Sequence, residues 1–359
     1  METKISKEII KKYLKEKFKT FELLEYKKLG KGWHGSSYKL MFNSRNKLYN
    51  LILRTKNKSG FSHDYKSDRA SCFILAHEMA NSIQKHSSSL DVVGVTKNRN
   101  LVSLGACNEF FQLVEAIEGT EYMKDLERIK DKRSVGKKDK ERALILSNYL
   151  VNLHKNKFKG NKQLADSIYK RHLRDCIGHG EMLLGVIDTY PKKIRFSSQK
   201  EITNIIKKCV ELRENIKNRH HRLCSIHGDF HPGNIFFQND NYNNLIVLDA
   251  SREMYGDPAD DLTAMAINYI WFALKQKDNF SGHFKELFEI FWKNYIRKAN
   301  DKEINKIAAL FFAFRGTVVA HPLFYKGQSN KTRRKIFNFI NNVLEDKVFN
   351  YKKINSYIE

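Results

Sequence analysis

The chain has 359 residues, with 65 Lys and Arg against 40 Asp and Glu, a formal net charge of +25. Hydrophobic residues make up 41%, which suffices for a sizeable core and excludes an intrinsically disordered protein. Residues 1–19 lack the apolar core of a signal peptide, no apolar run reaches membrane-spanning length, and the five cysteines form no CxxC pair. We therefore expect a soluble, cytoplasmic protein. The charge excess indicates either a polyanionic partner or a general composition bias.

The first third of the sequence predicts a β-rich region. A charged amphipathic helix is predicted over residues 5–19, and a second helix over Ala70–Gln84. Four short strands are predicted, at Phe21–Leu29, Ser37–Phe42, Leu48–Thr55 and Phe110–Ile117, the middle two forming a hairpin.

Helical periodicity dominates after Gly119. Residues 124–142 are dense in both charge signs and predict solvated helix faces or loops. Helices are predicted at Ala143–His154, Gln163–Asp175, Glu181–Tyr190 and Lys200–Asn215, and again from Leu262 onwards. A predicted hairpin, Ile235–Phe237 with Leu245–Leu248, interrupts them. The pattern therefore predicts an α+β protein with a small β-rich lobe followed by a larger, mainly helical lobe.

A GxGxxG pattern places glycines at Gly30, Gly32 and Gly35. Glycine allows consecutive backbone amides to face phosphate oxygens. A dinucleotide-binding fold would have a helix directly after this loop, whereas here the predicted hairpin follows, ending in a strand with Arg54 and Lys56. This order is typical of a protein-kinase-like nucleotide lobe, and an ordinary Gly-rich turn is the alternative.

The most specific signal is the sequence HGDFHPGN from His227 to Asn234, followed after the second hairpin by Asp249. Phosphoryl transfer needs a carboxylate beside the acceptor hydroxyl and oxygen ligands that hold Mg²⁺ against the phosphates. Asp229 suits the first role, and Asn234 and Asp249 suit the second. A metallohydrolase with His227, Asp229 and His231 as ligands is an alternative, but it leaves Asn234 and Asp249 unexplained.

The segment from Ser225 to Leu262 is acidic within a basic chain. Its 38 residues hold one base, Arg252, where 65 Lys and Arg in 359 residues would give about seven. Its seven acids are Asp229, Asp240, Asp249, Glu253, Asp257, Asp260 and Asp261. Cations are therefore depleted where a metal ion would bind.

These motifs resemble those of the aminoglycoside phosphotransferase and choline kinase-type small-molecule kinases, which share a two-lobed protein-kinase-like fold. The loop from His227 to Asn234 is similar to the catalytic loop of that group, and Asp249 to its metal-binding aspartate. The segment GDPADDL at 256–262 resembles its GDPxxDL element. The resemblance covers roughly residues 21–270. Together with the amphipathic pattern at the start of the chain, it predicts an N-terminal helix (1–20), a nucleotide-binding N-lobe (21–117), and a helical C-lobe (118–359) with the catalytic loop and acceptor pocket.

The resemblance also implies ATP and Mg²⁺ as cofactors and gives roles to single residues. The implied nucleotide-binding residues are Gly30, Gly32, Gly35, Arg54, Glu78, Glu115 and Ile117. Arg54 stands where the family usually has Lys and would pair with Glu78, with Lys56 as the alternative cation. The implied catalytic residues are Asp229, Asn234 and Asp249, of which the last two hold the metal. His227 and Asp261 would anchor the loop.

The acceptor is harder to predict. Arg174, His179 and Glu181 form a polar cluster in a helical region, which indicates either substrate contact or helix packing. For Arg315 and His321 the same two roles, substrate contact or helix packing, are open. We predict transfer of the γ-phosphate of ATP to a hydroxyl of a small molecule that is not a polycation, for example a sugar, nucleoside, amino alcohol or phosphorylated metabolite.

Two other functions stay open at this point. One is a protein kinase, which the absence of an APE-type element disfavours, and the other is a non-catalytic kinase-like binding protein. We expect no specific nucleic-acid partner and no membrane partner, because the sequence shows no recognisable nucleic-acid-binding module and no apolar span.

Overall fold

The structure is a computed structural model that describes residues 5–31, 35–58, 62–82, 84, 87–238, 244–250 and 252–359. The chain divides into two compact units, Met1–Glu115 and Ala116–Glu359. The described residues contain no helix that is long and apolar enough to cross a membrane. The domain boundaries expected at 20/21 and 117/118 stay predictions.

The N-terminal unit is built on a three-stranded antiparallel sheet. Its strands are β1 (Glu22–Lys31), β2 (Ser36–Ser44) and β3 (Lys47–Arg54), in the order β1-β2-β3. The two residues between β2 and β3, Arg45 and Asn46, have φ of 48° and 60°. A two-residue turn with positive φ at both positions matches the twist of the strands that it joins, so the predicted hairpin forms.

The first helix completes the core of this unit. Helix α1 (Lys7–Phe18) buries Ile10 and Leu14 in one cluster with Leu40 and Phe42 of β2. The unit also contains α2 (Lys66–Ser82) and the short paired strands β4 (Val93–Val95) and β5 (Leu101–Ser103). Both predicted helices and the first three predicted strands are thereby confirmed.

The strand predicted over Phe110–Ile117 is wrong. Residues 104–119 contain no helix or strand, and Phe111 and Leu113 are 90% and 100% exposed. An apolar run gives strand propensity, but a strand needs a partner for its backbone hydrogen bonds. The preceding strands β4 and β5 pair with each other, and none of the described strands pairs with this run.

The second unit is mainly helical. Its helices are α3 (Tyr122–Lys132), α4 (Lys137–His154), α5 (Lys162–Gly178), α6 (Leu183–Asp188), α7 (Gln199–Ile216), α8 (Pro258–Lys277), α9 (Gly282–Ala299), α10 (Ile304–Val319), α11 (Asn330–Asp346) and α12 (Ile354–Ile358). Its short strands are β6 (Thr120–Glu121), β7 (Cys224–Ser225), β8 (Ile235–Phe237), β9 (Leu245–Val247) and β10 (Tyr255–Gly256). β8 and β9 form the predicted hairpin, β8 also pairs with β6, and β7 pairs with β10.

Helix α8 lies at the centre of this unit and packs against α9 and α10. Every residue from Pro258 to Leu274 is buried, as expected for a helix that is apolar on all sides. The Asp257 side chain caps its N-terminus by accepting from the Ala259 amide at 2.9 Å, and Pro258 occupies the first helical position. The predicted α+β fold class, with a small β-rich part and a larger mainly helical part, is confirmed.

Candidate active site

The loop of residues 227–234 follows β7 and leads into β8, and a buried carboxylate holds its first residues. Asp261, in the first turn of α8, accepts from the backbone amides of His227 and Gly228 at 2.7 and 2.8 Å. Its Oδ2 also lies 3.2 Å from Nε2 of His154. Burial would raise the pKa of Asp261, but His154 and the loop amides outweigh it and hold that pKa below its ordinary value. An ionised Asp261 thus fixes where the loop begins.

Gly228 permits the backbone conformation that this anchor requires. Its φ is +83°, a left-handed value that residues with a Cβ rarely adopt. The left-handed backbone at this position therefore favours Gly over a residue with a Cβ.

Asp229 lies next in the loop and is held by two guanidinium groups. Arg315 Nη1 and Arg252 Nη1 approach the same oxygen, Oδ1, at 2.6 and 3.1 Å. The other oxygen, Oδ2, lies 3.7 Å from Nε2 of His231. Burial would raise the pKa of Asp229, but Arg315 and then Arg252 outweigh it and hold the pKa below its ordinary value. The side chain, 15% exposed, is therefore an ionised carboxylate in a largely buried site.

Arg315 connects three elements. It lies on α10, its side chain is 5% exposed, and its Nη2 donates to the Gly228 carbonyl oxygen at 2.8 Å and to Asp260 Oδ1 at 2.6 Å. Burial would lower the pKa of Arg315, but Asp260 and Asp229 raise it overall. A buried guanidinium that is matched by two carboxylates ties α8, α10 and the loop together.

Asn234 and Asp249 are brought together by the β8–β9 hairpin. The Leu248 amide donates to the Asn234 carbonyl oxygen at 2.9 Å, so Asp249 follows directly beside the end of the loop. Asn234 donates its side-chain amide to the Asp229 carbonyl oxygen at 3.1 Å. Asp249 is exposed and has a φ of 59°, a left-handed conformation that Asp tolerates better than most residues. These neutral and anionic oxygen donors fit Mg²⁺, which takes few protein ligands and completes its shell with phosphate and water oxygens.

The alternative metal site at His227, Asp229 and His231 is not formed. The described residues contain no group of three His, Cys, Asp or Glu side chains arranged to hold a metal ion. Nδ1 of His227 accepts from the Asp229 amide at 3.2 Å, and Nδ1 of His231 accepts from the Gly233 amide at 3.1 Å. In both histidines Nδ1 is thus occupied by a hydrogen bond from a backbone amide of the loop and is not available to a metal ion.

A cavity of about 590 Å³ opens beside Asp229 within the helical unit. Its charged groups are Asp229, Asp249, Arg252 and Arg315, together with Glu181. The remaining wall is a mixture of apolar and neutral polar side chains from residues 180–189, the 227–234 loop, α8, α10 and the loop after α10. A cavity of this size suits a small organic molecule.

One of the three residues predicted for acceptor contact lies in the cavity wall. Glu181 lines the cavity, with its Oε2 3.7 Å from Nε of Arg252. Arg174 bonds to Asp175 at 3.1 Å, and His179 caps the end of α5 and accepts from the Glu181 amide. Neither of these two is among the lining residues. The role of Glu181 stays a prediction.

The structure adds lining residues that sequence reasoning did not assign. Arg252, Asn268, Phe324 and Tyr325 all line the cavity. The sequence could have indicated a role for Arg252, because it is the one base in the acidic segment. The other three lie in helix and loop sequence that has no distinguishing feature.

The nucleotide-binding residues predicted in the N-terminal unit lie on exposed elements. Arg54 is the exposed last residue of β3, and Glu78 is exposed on α2. In the part of the chain that the structure describes, neither Arg54 nor Lys56 forms an ion pair with Glu78. A Cβ on Gly35 would lie 1.8 Å from the Thr55 carbonyl oxygen, so glycine is needed for the approach of these two backbones.

The other residues predicted to bind the nucleotide do not all belong to the same unit. Gly30 lies in β1, and Gly32 lies outside the described residues. Glu115 is the last residue of the N-terminal unit, and Ile117 belongs to the helical unit. Their roles stay predictions.

Comparison with protein families gives a match in the segment that carries this site. Residues 193–288 match the model of the phosphotransferase enzyme family (APH). The segment includes the 227–234 loop, Asp249 and the acids at the start of α8. The resemblance predicted from the motifs is thereby confirmed, and the match supports a phosphotransferase.

Comparison with solved structures finds several small-molecule kinases. An amicoumacin kinase in complex with AMP-PNP, Ca²⁺ and its ligand is 11% identical, with a TM-score of 0.41 and 97% of each chain covered. Choline kinase LicA from Streptococcus pneumoniae is 15% identical, with a TM-score of 0.33, 94% of this chain and 98% of that chain covered. The ADP-bound aminoglycoside phosphotransferase APH(2'')-Ib is 14% identical, with a TM-score of 0.30, 96% of this chain and 100% of that chain covered. Comparison with curated proteins finds no match.

Proposed function

We propose that this protein is an ATP- and Mg²⁺-dependent kinase that transfers the γ-phosphate of ATP to a hydroxyl of a small molecule. The observation that carries the proposal is the environment of Asp229. This carboxylate is held ionised by Arg315 and Arg252 at the wall of a cavity, beside the oxygen donors Asn234 and Asp249. The family-model match to residues 193–288 supports the same reaction class.

Asp229 orients the acceptor hydroxyl. Transfer of a phosphoryl group proceeds through a loose transition state, so the acceptor needs alignment more than a strong base. A carboxylate whose pKa lies below its ordinary value is ionised at neutral pH and is therefore able to accept a hydrogen bond from the hydroxyl. Asp229 therefore accepts a hydrogen bond from the hydroxyl and takes its proton as the new O–P bond forms and the bond from the γ-phosphorus to the departing ADP breaks.

Two further groups of residues support this step. Arg315 is a positioning residue, because it fixes the Asp229 carboxylate and the Gly228 carbonyl oxygen without contact to the reacting atoms. Asn234 and Asp249 would hold Mg²⁺, which neutralises charge on the phosphate oxygens during transfer. Gly30, Gly32, Gly35 and Arg54 of the N-terminal unit are proposed to bind the triphosphate. Glu115, at the end of that unit, and Ile117, at the start of the helical unit, are proposed to bind the adenine through their backbone.

The Asp229→Asn variant tests the proposal. We expect kcat for ATP-dependent phosphorylation to fall by about 10²–10⁴-fold, the usual contribution of a positioned acid–base group, with ATP affinity unchanged. The measurement is ADP formation in a screen of hydroxyl-bearing metabolites, with ATP binding followed by calorimetry. Asp131→Asn is the matched control, because Asp131 is an acid of the same unit with its side chain 68% exposed. An Asp229→Asn enzyme that turns over at the wild-type rate would refute the assignment.

A further inference from the structure

All but one of the charged groups on the cavity wall are matched with one another. Among the described lining residues there are three carboxylates and two guanidiniums: Glu181, Asp229, Asp249, Arg252 and Arg315. Asp229 contacts both guanidiniums, and Glu181 Oε2 lies 3.7 Å from Arg252 Nε. Asp249 is the carboxylate without an arginine contact, and it is the proposed metal ligand. Glu181 and Asp249 are exposed, so the described wall offers an ammonium group no buried carboxylate that is free of another cation.

The same matching disfavours an anionic ligand. Arg315 already bonds to Asp229 and Asp260, and Arg252 lies between Asp229 and Glu181. A ligand charge buried here would gain no unmatched partner, and burying an uncompensated charge costs several kcal/mol. The arrangement favours an acceptor without net charge.

Besides these charged groups, the wall has apolar side chains and four further polar ones, Thr189, His231, Asn268 and Tyr325. Ala264 and Ile267 come from α8, and Val318 and Val319 come from the end of α10. Asn268 lies beside them and accepts a hydrogen bond from the Tyr325 hydroxyl at 3.3 Å. Such a surface suits a ring with an apolar face and a few hydroxyl groups.

Phe324 presents an aromatic ring to the cavity. Its side chain lines the cavity and is 55% exposed, and its ring stacks on His321 with centroids 4.1 Å apart and planes at 21°. The loop that carries it is held at both ends, because Arg333 donates to the carbonyl oxygens of Ala320 and Tyr325 at 2.5 and 2.8 Å. A half-exposed aromatic ring on a fixed loop is a surface on which a ligand ring can stack.

From this charge balance and this ring we infer that the acceptor is an uncharged ring compound with a free hydroxyl, of the nucleoside or aryl glycoside type, and that Phe324 determines its selection. The inference rests on the proposed function, because it names the substrate class of the same site. It excludes polycationic and quaternary ammonium alcohols as preferred acceptors.

The test compares four acceptors and two variants of the full-length protein. With ATP and Mg²⁺, we expect uridine or phenyl β-glucoside to be phosphorylated with at least tenfold higher kcat/KM than kanamycin or choline. Phe324→Ala should lower kcat/KM for the preferred neutral compound about tenfold, mainly through KM, because a stacked ring is lost. Leu323→Ala is the matched control, since Leu323 is also 55% exposed but does not line the cavity, and it should leave kcat/KM unchanged.

Calorimetry without ATP separates failure of the inference from failure of the proposed function. Binding of a neutral ring compound that Phe324→Ala weakens and Leu323→Ala does not supports the inference, even if no phosphate is transferred. Preferred phosphorylation of kanamycin or choline overturns the inference and leaves the kinase function standing. Equal effects of the two variants, or no binding of either neutral compound, also overturn it.

Discussion

The two units hold their candidate site residues in different ways. In the helical unit, Asp229, Asp261 and Arg315 are largely buried, and each is matched by several partners at hydrogen-bond distance. In the N-terminal unit, Arg54 and Glu78 are exposed and form no ion pair with each other. A buried charge must be matched by the protein itself, whereas an exposed charge stays solvated until a ligand binds. The protein itself therefore fixes the geometry of the buried site in the helical unit, whereas the side chains of Arg54 and Glu78 are not held by such contacts.

The largest expected effect comes from the loop anchor. In Asp261→Asn an amide replaces a fully buried carboxylate, and one of its N–H groups would face the amides of His227 and Gly228. We expect the free energy of unfolding to fall by about 3–5 kcal/mol, as when one partner of a buried ionic network is removed. Urea denaturation followed by circular dichroism measures it. Asp166→Asn is the control, since Asp166 is partly exposed, and a similar loss there would contradict the anchor role.

The next effect is a dependence of stability on pH. Nδ1 of the buried His172 lies 2.8 Å from Oε2 of Glu253. Burial would lower the pKa of His172, but Glu253 outweighs it and raises that pKa from 6.5 to about 9. The pair therefore stabilises the fold fully below pH 6.5, and this contribution is lost as the pH rises through 9.

Glu253→Gln measures the size of that contribution. Between pH 6 and pH 10 we expect the wild type to lose up to about 3 kcal/mol of its unfolding free energy relative to the variant. Urea denaturation at several pH values gives this difference. A difference that stays constant over the whole range would show that His172 is not charged in the folded protein.

A third prediction concerns Arg315 as a positioning residue. We expect Arg315→Gln to lower kcat by about 100-fold, within the range for a misplaced acid–base group, and to move the acid limb of the kcat–pH profile to higher pH. The limb moves because Arg315 lowers the pKa of Asp229, which must be ionised to accept the hydroxyl hydrogen bond. Arg315→Lys keeps the positive charge, so the acid limb should lie at the wild-type pH. Its kcat should recover only in part, because an ammonium group lacks the planar guanidinium that reaches three acceptors.

The outcome for Arg315 distinguishes positioning from packing. If Arg315→Gln lowers kcat without moving the acid limb, the residue only supports the fold. Arg334→Lys is the control: Arg334 lies in the same unit, is 38% exposed and pairs with Glu201, and its substitution should change neither kcat nor the profile.

The smallest expected change in stability is at Arg54. Because Arg54 is exposed, Arg54→Ala should alter the unfolding free energy by less than about 0.5 kcal/mol. If it binds phosphate, the KM for ATP should rise about tenfold, the value of one charge-assisted hydrogen bond. Lys56→Ala is the parallel variant. A rise in KM with Lys56→Ala and none with Arg54→Ala would transfer the role to Lys56.

Much of the fold could be predicted because local rules decide it. The β2–β3 hairpin follows from turn-forming residues between two apolar stretches, and the helices of the second unit follow from apolar spacing. The run Phe110–Ile117 was predicted wrongly because pairing of a strand depends on distant residues that a local pattern does not contain. The strands β4 and β5 were not predicted, since three residues each are too few to show a period.

The candidate site divides in the same way. The 227–234 loop, Asp249 and Asp261 were predicted because their spacing is itself the motif. The contact of Arg315 with Asp229 was not, because 86 residues separate them and a single Arg in the apolar helix α10 has many possible partners. The stacking of Phe324 on His321 was not predicted either, because the sequence does not indicate which side chains a phenylalanine in a loop will contact.

Helix α8 is one continuous helix that contains both the loop anchor and part of the cavity wall. Asp260 and Asp261 stand in its first turn, while Ala264, Ile267 and Asn268 face the cavity along the next two turns. At 1.5 Å per residue, the anchor and Asn268 are about 10 Å apart. Substitutions at Ala264 or Ile267 can therefore reshape what the cavity admits while the acids at the helix start keep their partners.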